Sequence, residues 1–471
     1  MTDPFSALEF PLILEQLCGH ACTESAKRRL GGLRPTADEG RVRAALRETS
    51  GARVLIDTYG SPPLTAMKEL RDLLEIAQKG GMLTPEQFTG LLQFLAAIRR
   101  MKAYLQKAQE SGVSLAFWGG ALDPLDFLRG EIDNAIRGVM VDDNASKELR
   151  DLRRKIENAN LRIRSQLDDL LRKRKEYFSD GFVSMRDGHF TLPVKKEYKH
   201  QVSGSVISVS GTGATYFIEP SSVIRLRDEL ASLKTAEHLE EEKILYTLTA
   251  LVDDCRGDLL RNIETMEALD FAFAKGKLSV ELGAVEPAVN TERRLEIDGG
   301  RHPLLDPSSC VPLDFAFPDG VRGVVITGPN TGGKTVALKT VGLFSLMAQC
   351  GLHLPCRRAD VCLCGDVLCD IGDGQSISEN LSTFSAHITG VIEILARANR
   401  DSLVLLDELG SGTDPAEGMG IAVSILEELR ARNCLFLATT HYPEVKEYAQ
   451  RTPGLVNARM TFDRESLRPL Y

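Results

Sequence analysis

Val324-Val325-Ile326-Thr327-Gly328-Pro329-Asn330-Thr331-Gly332-Gly333-Lys334-Thr335 is the stretch that decides the fold. Its first four residues are β-branched and read as a strand. The next eight match the pattern Gly-x-x-x-x-Gly-Lys-Ser/Thr, and residues 336–348 continue as an amphipathic helix. In that strand–loop–helix setting, glycines let backbone N–H groups close around phosphate oxygens. The helix N-terminus adds the positive end of its dipole. Gly328, Pro329, Asn330, Thr331, Gly332, Gly333, Lys334, Thr335 and Val336 are therefore the expected contacts to ATP. Lys334 should reach the β- and γ-phosphates, and Thr335 should ligate Mg²⁺.

Downstream, an apolar strand over 403–406 ends in Asp407-Glu408, the Walker B pattern. Asp407 is expected to hold Mg²⁺, and Glu408 to polarise the attacking water. A further strand over 435–439 runs into Thr440-His441, where His441 can sense the γ-phosphate and hold the water. Lys334, Glu408 and His441 are thus the candidate catalytic groups. From about Val280 onward, short apolar strands alternate with helices, which is the signature of an α/β domain.

The earlier part reads differently. Helices are expected over 7–20, 42–57 and 85–107, punctuated by Gly60-Ser61-Pro62-Pro63 and Gly80-Gly81. Leu149, Leu152, Ile156, Ala159, Ile163, Leu167 and Leu170 keep a 3–4 spacing, predicting one helix over 144–178, roughly 50 Å long. Leu226, Leu230, Leu233, Ile244, Leu248 and Leu251 predict a second over 221–260. The two pair most simply as an antiparallel lever. Between them, short strands over 182–184, 190–194, 206–209 and 215–218 suggest a small β tip, where Lys195, Lys196 and Lys199 cluster with His200. These lysines are the expected nucleic-acid contacts. The resulting division is a helical core at 1–143, a lever helix at 144–181, a β-rich clamp tip at 182–219, a returning lever and core at 220–279, and the ATPase domain at 280–471.

Composition narrows the choices further. A chain of 471 residues has room for two to four domains. With a net charge of −9, any nucleic-acid contact must come from a local basic patch. Aromatics are 6% with a single tryptophan, which disfavours a stacking platform for single strands. No apolar run approaches the ~18 residues that a membrane span needs, so the expected location is the cytoplasm, with no membrane partner. Ten cysteines contain no Cys-x-x-Cys pair and read as free thiols in a reducing compartment, not as a zinc site.

Residues 328–335, Ser382-Thr383-Phe384, Asp407-Glu408-Leu409-Gly410-Ser411-Gly412-Thr413-Asp414-Pro415 and Thr439-Thr440-His441-Tyr442 together resemble the ATPase of the MutS proteins, which belong to the ABC class. Leu8-Glu9-Phe10, Arg301-His302-Pro303-Leu304-Leu305 and Asp370-Ile371-Gly372-Asp373-Gly374-Gln375-Ser376-Ile377 extend the resemblance to the MutS-two branch, which lacks the mismatch-reading domain. Gly374 stands where that branch would carry a carboxylate, leaving Asp373 and Gln375 as the nearby candidates. Near the N-terminus there is no Phe-x-Glu wedge, and Phe217-Ile218-Glu219 reads as a strand end.

The resemblance implies a multidomain chain: a mainly α-helical core and long lever helices with a small β tip, followed by an ABC-type P-loop ATPase domain. It implies a homodimer in which Ser382 of one chain closes on ATP held by the other. As function it implies a clamp that binds branched or distorted DNA and restrains homologous recombination. The alternative is an ATP-driven factor that recognises collided ribosomes and splits their subunits. Members of the branch continue into a nuclease domain, whereas this sequence stops at Tyr471, after an apparent strand at Leu467-Arg468-Pro469-Leu470. It therefore reads as C-terminally truncated, with endonuclease activity expected only in the missing part.

Overall fold

The computed structural model describes residues 4–67, 69–328, 333–372, 383–462 and 469–470. The chain divides into two compact units, one formed by Met1–Met67, Arg99–Leu122 and Asn262–Tyr471, the other by Lys68–Ile98 and Asp123–Arg261.

The first unit holds a five-stranded sheet ordered Asp366–Asp370, Ser402–Leu406, Leu435–Thr440, Gly323–Thr327, Leu455–Arg459. Every neighbouring pair is parallel. Its central strands are buried along their whole length, as a parallel sheet covered on both faces requires. Side chains alternate between two cores. Leu403, Leu405, Leu435 and Leu437 join Leu338 and Val341 of the helix Lys334–Gln349. Val404, Leu406, Phe436 and Ala438 instead meet Val391 and Ile394 of Thr383–Arg397, and Ala422 and Leu426 of Pro415–Ala431. The continuous apolar runs in the sequence thus supply both layers. A second sheet, ordered Ala288–Asn290, Arg358–Cys362, Glu296–Gly300, Leu313–Ala316, is mixed in direction. The helix expected over 7–20 is in fact two, Pro4–Ala7 and Phe10–Gly19. They are parted by Glu9, whose backbone is left-handed at φ 60° and whose carboxylate pairs with Lys339 at 2.8 Å.

In the second unit, the helix Lys147–Lys173 is capped by Ser146, which accepts from the Leu149 N–H. Its 27 residues span about 40 Å, shorter than the sequence suggested. The chain leaves the helix at Arg174 (φ −137°) and enters a short 3-10 turn. The returning helix, Ser221–Asp254, runs antiparallel to it. Ser146 meets Glu240, Arg153 meets Glu237 and Glu241, and Arg162 meets Glu229, so rising numbers on one helix face falling numbers on the other. This helix also stops earlier than expected. Asp253 and Asp254 put two carboxylates at the negative end of its dipole, and after Cys255 a separate helix, Arg256–Glu281, begins.

Between the paired helices lies an antiparallel sheet ordered Ser184–Arg186, His189–Lys195, Thr215–Pro220, Gly204–Val209. Its first hairpin turns at Asp187-Gly188, both with positive φ, the geometry a two-residue hairpin loop favours. Leu192, Val194 and Ile218 pack with Leu171 and Val223, so the small sheet shares one core with the helix pair. Glu219 lies inside this core, bonded to Arg227 at 2.9 Å and His189 at 2.8 Å, and is indeed part of a strand.

Candidate nucleotide site

Strand register builds the centre of the site. Leu406 pairs with Ala438, so the residues that follow, Asp407 and Thr439, emerge side by side from adjacent strands. Asp407 accepts from Thr335 Oγ1 at 2.6 Å on one carboxylate oxygen and from Thr439 Oγ1 at 2.5 Å on the other. Its own N–H donates to the Asp370 carbonyl at 2.9 Å. The carboxylate is therefore fixed by two hydroxyls from two different elements.

Glu408 follows with φ 47°, a left-handed conformation that costs a residue with a side chain about 1–2 kcal/mol. Thr439 over-determines it. The same Oγ1 accepts the Glu408 N–H at 2.8 Å, and the Thr439 carbonyl accepts from Leu409 N–H at 2.8 Å. The following turn is latched as well: Tyr442 Oη donates to the Gly410 carbonyl at 2.9 Å, and Gly410 abuts Gly418. A Cβ on Gly418 would stand 2.4 Å from the Gly410 oxygen and 2.6 Å from the Tyr442 hydroxyl.

Lys334 opens its helix beneath Gly333, whose φ of 78° gives the left-handed entry the loop needs. The Lys334 ammonium is buried, donates to the Gly328 carbonyl at 2.8 Å, and lies 3.3 Å from His441 Nε2. Burial lowers its pKa, opposed by the nearby Asp407 and Glu408 carboxylates. His441 Nε2 is 3.8 Å from Glu408 Oε1, and both side chains are about half exposed. Lys334, Thr335, Asp407, Glu408 and His441 thus converge.

The fit to a magnesium nucleotide rests on donor chemistry. Thr335 and Asp407 offer adjacent hard oxygens, the kind Mg²⁺ takes from one or two protein groups while phosphates and water complete its shell. Among the described residues, no group of three or more His, Cys, Asp or Glu side chains is arranged to hold a metal ion.

Pro329, Asn330, Thr331, Gly332 and Ser382 lie outside the described residues, as do Asp373, Gly374 and Gln375. Gly328 follows the strand Gly323–Thr327, and Val336 lies in the first turn of Lys334–Gln349. Two features escaped the sequence reading. One is the double role of Thr439, foreshadowed only by its place in a Thr-Thr-His run. The other is His387, whose Nδ1 lies 2.9 Å from Asp370 Oδ2. That bond raises the His387 pKa, with help from Asp370, Glu408 and Asp407 charge.

The tip lysines differ from one another. Lys195 donates to the Glu176 carbonyl at 3.1 Å, and the Lys199 ammonium stands 4.6 Å over the Tyr216 ring. Lys196 is solvent-exposed. Nearby, Tyr177 and Tyr198 stack at 4.7 Å. Among the described residues, no helix is long and apolar enough to cross a membrane.

A phosphate-loop strand and helix on a parallel sheet, with a Walker B carboxylate at the end of the next strand but one, define an ATPase-type domain, and residues 324–470 match the model of MutS domain V. Along 98% of its length the chain is 40% identical to the Endonuclease MutS2 of Clostridioides difficile and 40% identical to that of Clostridium beijerinckii. It is 39% identical to the Endonuclease MutS2 of Halothermothrix orenii, again along 98% of this chain. The chain thus carries a MutS domain V and is similar along nearly its whole length to proteins named as MutS2. It spans 60% of the length of these relatives.

Proposed function

We propose that this chain is the ATP-binding and ATP-hydrolysing body of a MutS-like clamp, a cytoplasmic homodimer that closes on branched or distorted DNA and restrains homologous recombination. The observation that carries the reading is the Asp407 carboxylate held between Thr335 and Thr439, beside Lys334 and Glu408. Residues 328–336 cradle the triphosphate, and Lys334 pairs with its β- and γ-oxygens. Thr335 and Asp407 would hold Mg²⁺, which neutralises phosphate charge when bound. Glu408 orients the attacking water, and His441 holds it from the other side. Ser382 of the partner subunit closes over the nucleotide.

The division at residues 143, 181, 219 and 279 assigns the remaining labour. The antiparallel helices act as levers, and the tip they carry meets the phosphate backbone through Lys195, Lys196 and Lys199. On Lys147–Lys173, Arg153 is already held by Glu237 and Glu241, which favours the tip as the contact. Endonuclease activity belongs to the part of the relatives that this chain does not span.

The test is binding to a four-way DNA junction, linear duplex and 70S ribosomes, with and without a non-hydrolysable ATP analogue, across a salt series. The reading expects the junction to bind most tightly, with a nucleotide-dependent affinity that Lys334→Ala abolishes. Ribosome binding without junction binding would overturn it and favour the ribosome-splitting alternative.

A further inference from the structure

Cys362 ends the strand Arg358–Cys362, and Cys364 lies two residues on, so in extended backbone both side chains leave the same face. The Cys364 thiol points at Cys362, donating to its sulfur at 3.9 Å and to its carbonyl at 3.6 Å. Both residues are almost fully buried, yet both line a cavity of about 250 Å³. Arg293, Arg400 and Asp401 line it too. Gly365, Ser402 and Leu435 complete that wall at the starts of their strands, whereas the nucleotide residues follow the strand ends. The cavity therefore belongs to the opposite edge of the sheet, apart from the ATP chemistry.

The surroundings discriminate between possible roles. The charge of Arg293, which outweighs that of Asp401 at Cys362, disfavours a bound cation but stabilises a thiolate, so the site suits an electrophile better than a metal. The hydrogen bond from Cys364, followed by the charge of Arg293, pulls the Cys362 thiol below its usual range despite burial. The same hydrogen bond and deep burial push Cys364 up. An attacking thiolate beside a protonated resolving thiol is the arrangement that peroxide chemistry uses. By contrast, burial pushes Cys350 and Cys356 up to about 12 and Cys434 up to about 11.

We infer that Cys362 and Cys364 form a peroxide-reactive dithiol that oxidises reversibly to an intramolecular disulfide. The Cys362 thiolate attacks one oxygen of a small hydroperoxide, the O–O bond breaks, and the departing oxygen takes up a proton, leaving Cys362 as a sulfenic acid. The Cys364 sulfur then attacks Cys362 Sγ. The S–O bond breaks, the hydroxyl leaves as water with the Cys364 proton, and the S–S bond forms. With hydrogen peroxide, two thiols lose two electrons in all and the peroxide becomes two waters.

The sulfurs must close from 3.9 Å to about 2.05 Å, within reach of side-chain rotation. An extended pair two residues apart spans about 6.6 Å between Cα atoms, at the upper end of the disulfide range. That span still lies within the range, so the bond can form without moving the backbone.

Non-reducing peptide mass analysis of the peroxide-treated, alkylated chain tests this directly. The expected product is a peptide bearing both cysteines, lighter by two hydrogens and restored by dithiothreitol, with Cys350, Cys356 and Cys434 still alkylatable after denaturation. Cys364→Ser should leave Cys362 as a sulfenic acid that dimedone traps. Cys362→Ser should label at Cys364 at least about tenfold more slowly. Failure of the wild-type chain to form the linkage while other cysteines oxidise would overturn the inference, with no variant needed. Equal dimedone labelling of the two single variants would overturn the assignment of Cys362 as the attacking sulfur.

Discussion

Replacing Thr439 with valine keeps the shape of the side chain and deletes one oxygen that serves two partners. In the native chain this Oγ1 donates to Asp407 and accepts the Glu408 N–H, and Thr439 is fully buried. A hydrogen bond to a charged group contributes about 1.5–3 kcal/mol, and an N–H left without its acceptor costs about 1–3 kcal/mol. Thr439→Val should therefore destabilise the domain by about 3 kcal/mol. Part of that energy now holds Glu408 in its unfavourable left-handed backbone. If it is lost from the positioning of the water, turnover falls by up to about 100-fold, at 1.36 kcal/mol per factor of ten. The assay is steady-state ATP hydrolysis at saturating ATP, well below the melting temperature, alongside urea denaturation. Thr440→Val is the control. Its hydroxyl is equally buried but serves the Leu409 carbonyl and the Tyr442 N–H, not Asp407. Comparable destabilisation of both variants, with turnover lost only at 439, is the expected result. Wild-type turnover in Thr439→Val, or equal loss in both, would refute the reasoning.

Glu408→Gln should keep ATP binding and lower turnover at least about tenfold, as measured by nucleotide titration and phosphate release. Lys334→Ala should instead lose nucleotide affinity, because the main phosphate charge partner is gone. Alanine at Lys195, Lys196 and Lys199 together should weaken duplex binding and flatten its salt dependence, the log–log slope falling by roughly 0.9 for each lost phosphate contact. An unchanged slope would remove the tip as the contact surface. His353 supplies a pH prediction. Burial lowers its pKa from 6.5 to about 4, and its ring nitrogens lie 2.8 Å from Ser50 Oγ and 2.7 Å from Ser279 Oγ. The unfolded chain takes up this proton first, so the neutral ring stabilises the fold above pH 6.5, and that stability drains away as pH falls toward 4. About 2–3 kcal/mol should be lost between pH 7 and 4.5, read from urea midpoints, and His353→Gln should reduce that dependence.

Much of the nucleotide site was legible because its chemistry is written in consecutive residues. A glycine-rich loop must follow its strand and precede its helix, so 324–335 announces itself. The Thr439 lock is different. It exists because Leu435–Thr440 lies beside Ser402–Leu406, and the linear sequence does not record which strands become neighbours. His387 was missed for the same reason, since its partner Asp370 stands on another element. In the paired helices the apolar seam gave the buried positions well: Leu149, Ala159, Ile163 and Leu167 are all interior. It gave the ends poorly. Hydrophobic spacing continued past Cys255, while the helix yielded to two terminal carboxylates that the spacing does not weigh. Nor does periodicity tell which unit a helix joins, and residues 68–98 cluster with 123–261 although a neighbouring stretch does not.

The contact between Gly410 and Gly418 has a consequence for how this region can vary. At 418 even a single methyl group would collide with a main-chain oxygen, which cannot rotate aside, and with the Tyr442 ring system. At 410 a side chain would meet the Gly418 carbonyl at 2.5 Å while sitting at φ 85°, so it would be refused on two counts. Neither position can drift first and be rescued by the other, because each is closed by backbone. A saturation library selected for folded protein should return one letter at 418 and one at 410, beside an exposed Glu417 that is comparatively free to change. The turn after Asp407-Glu408 is thus a place where substitution has almost no vocabulary.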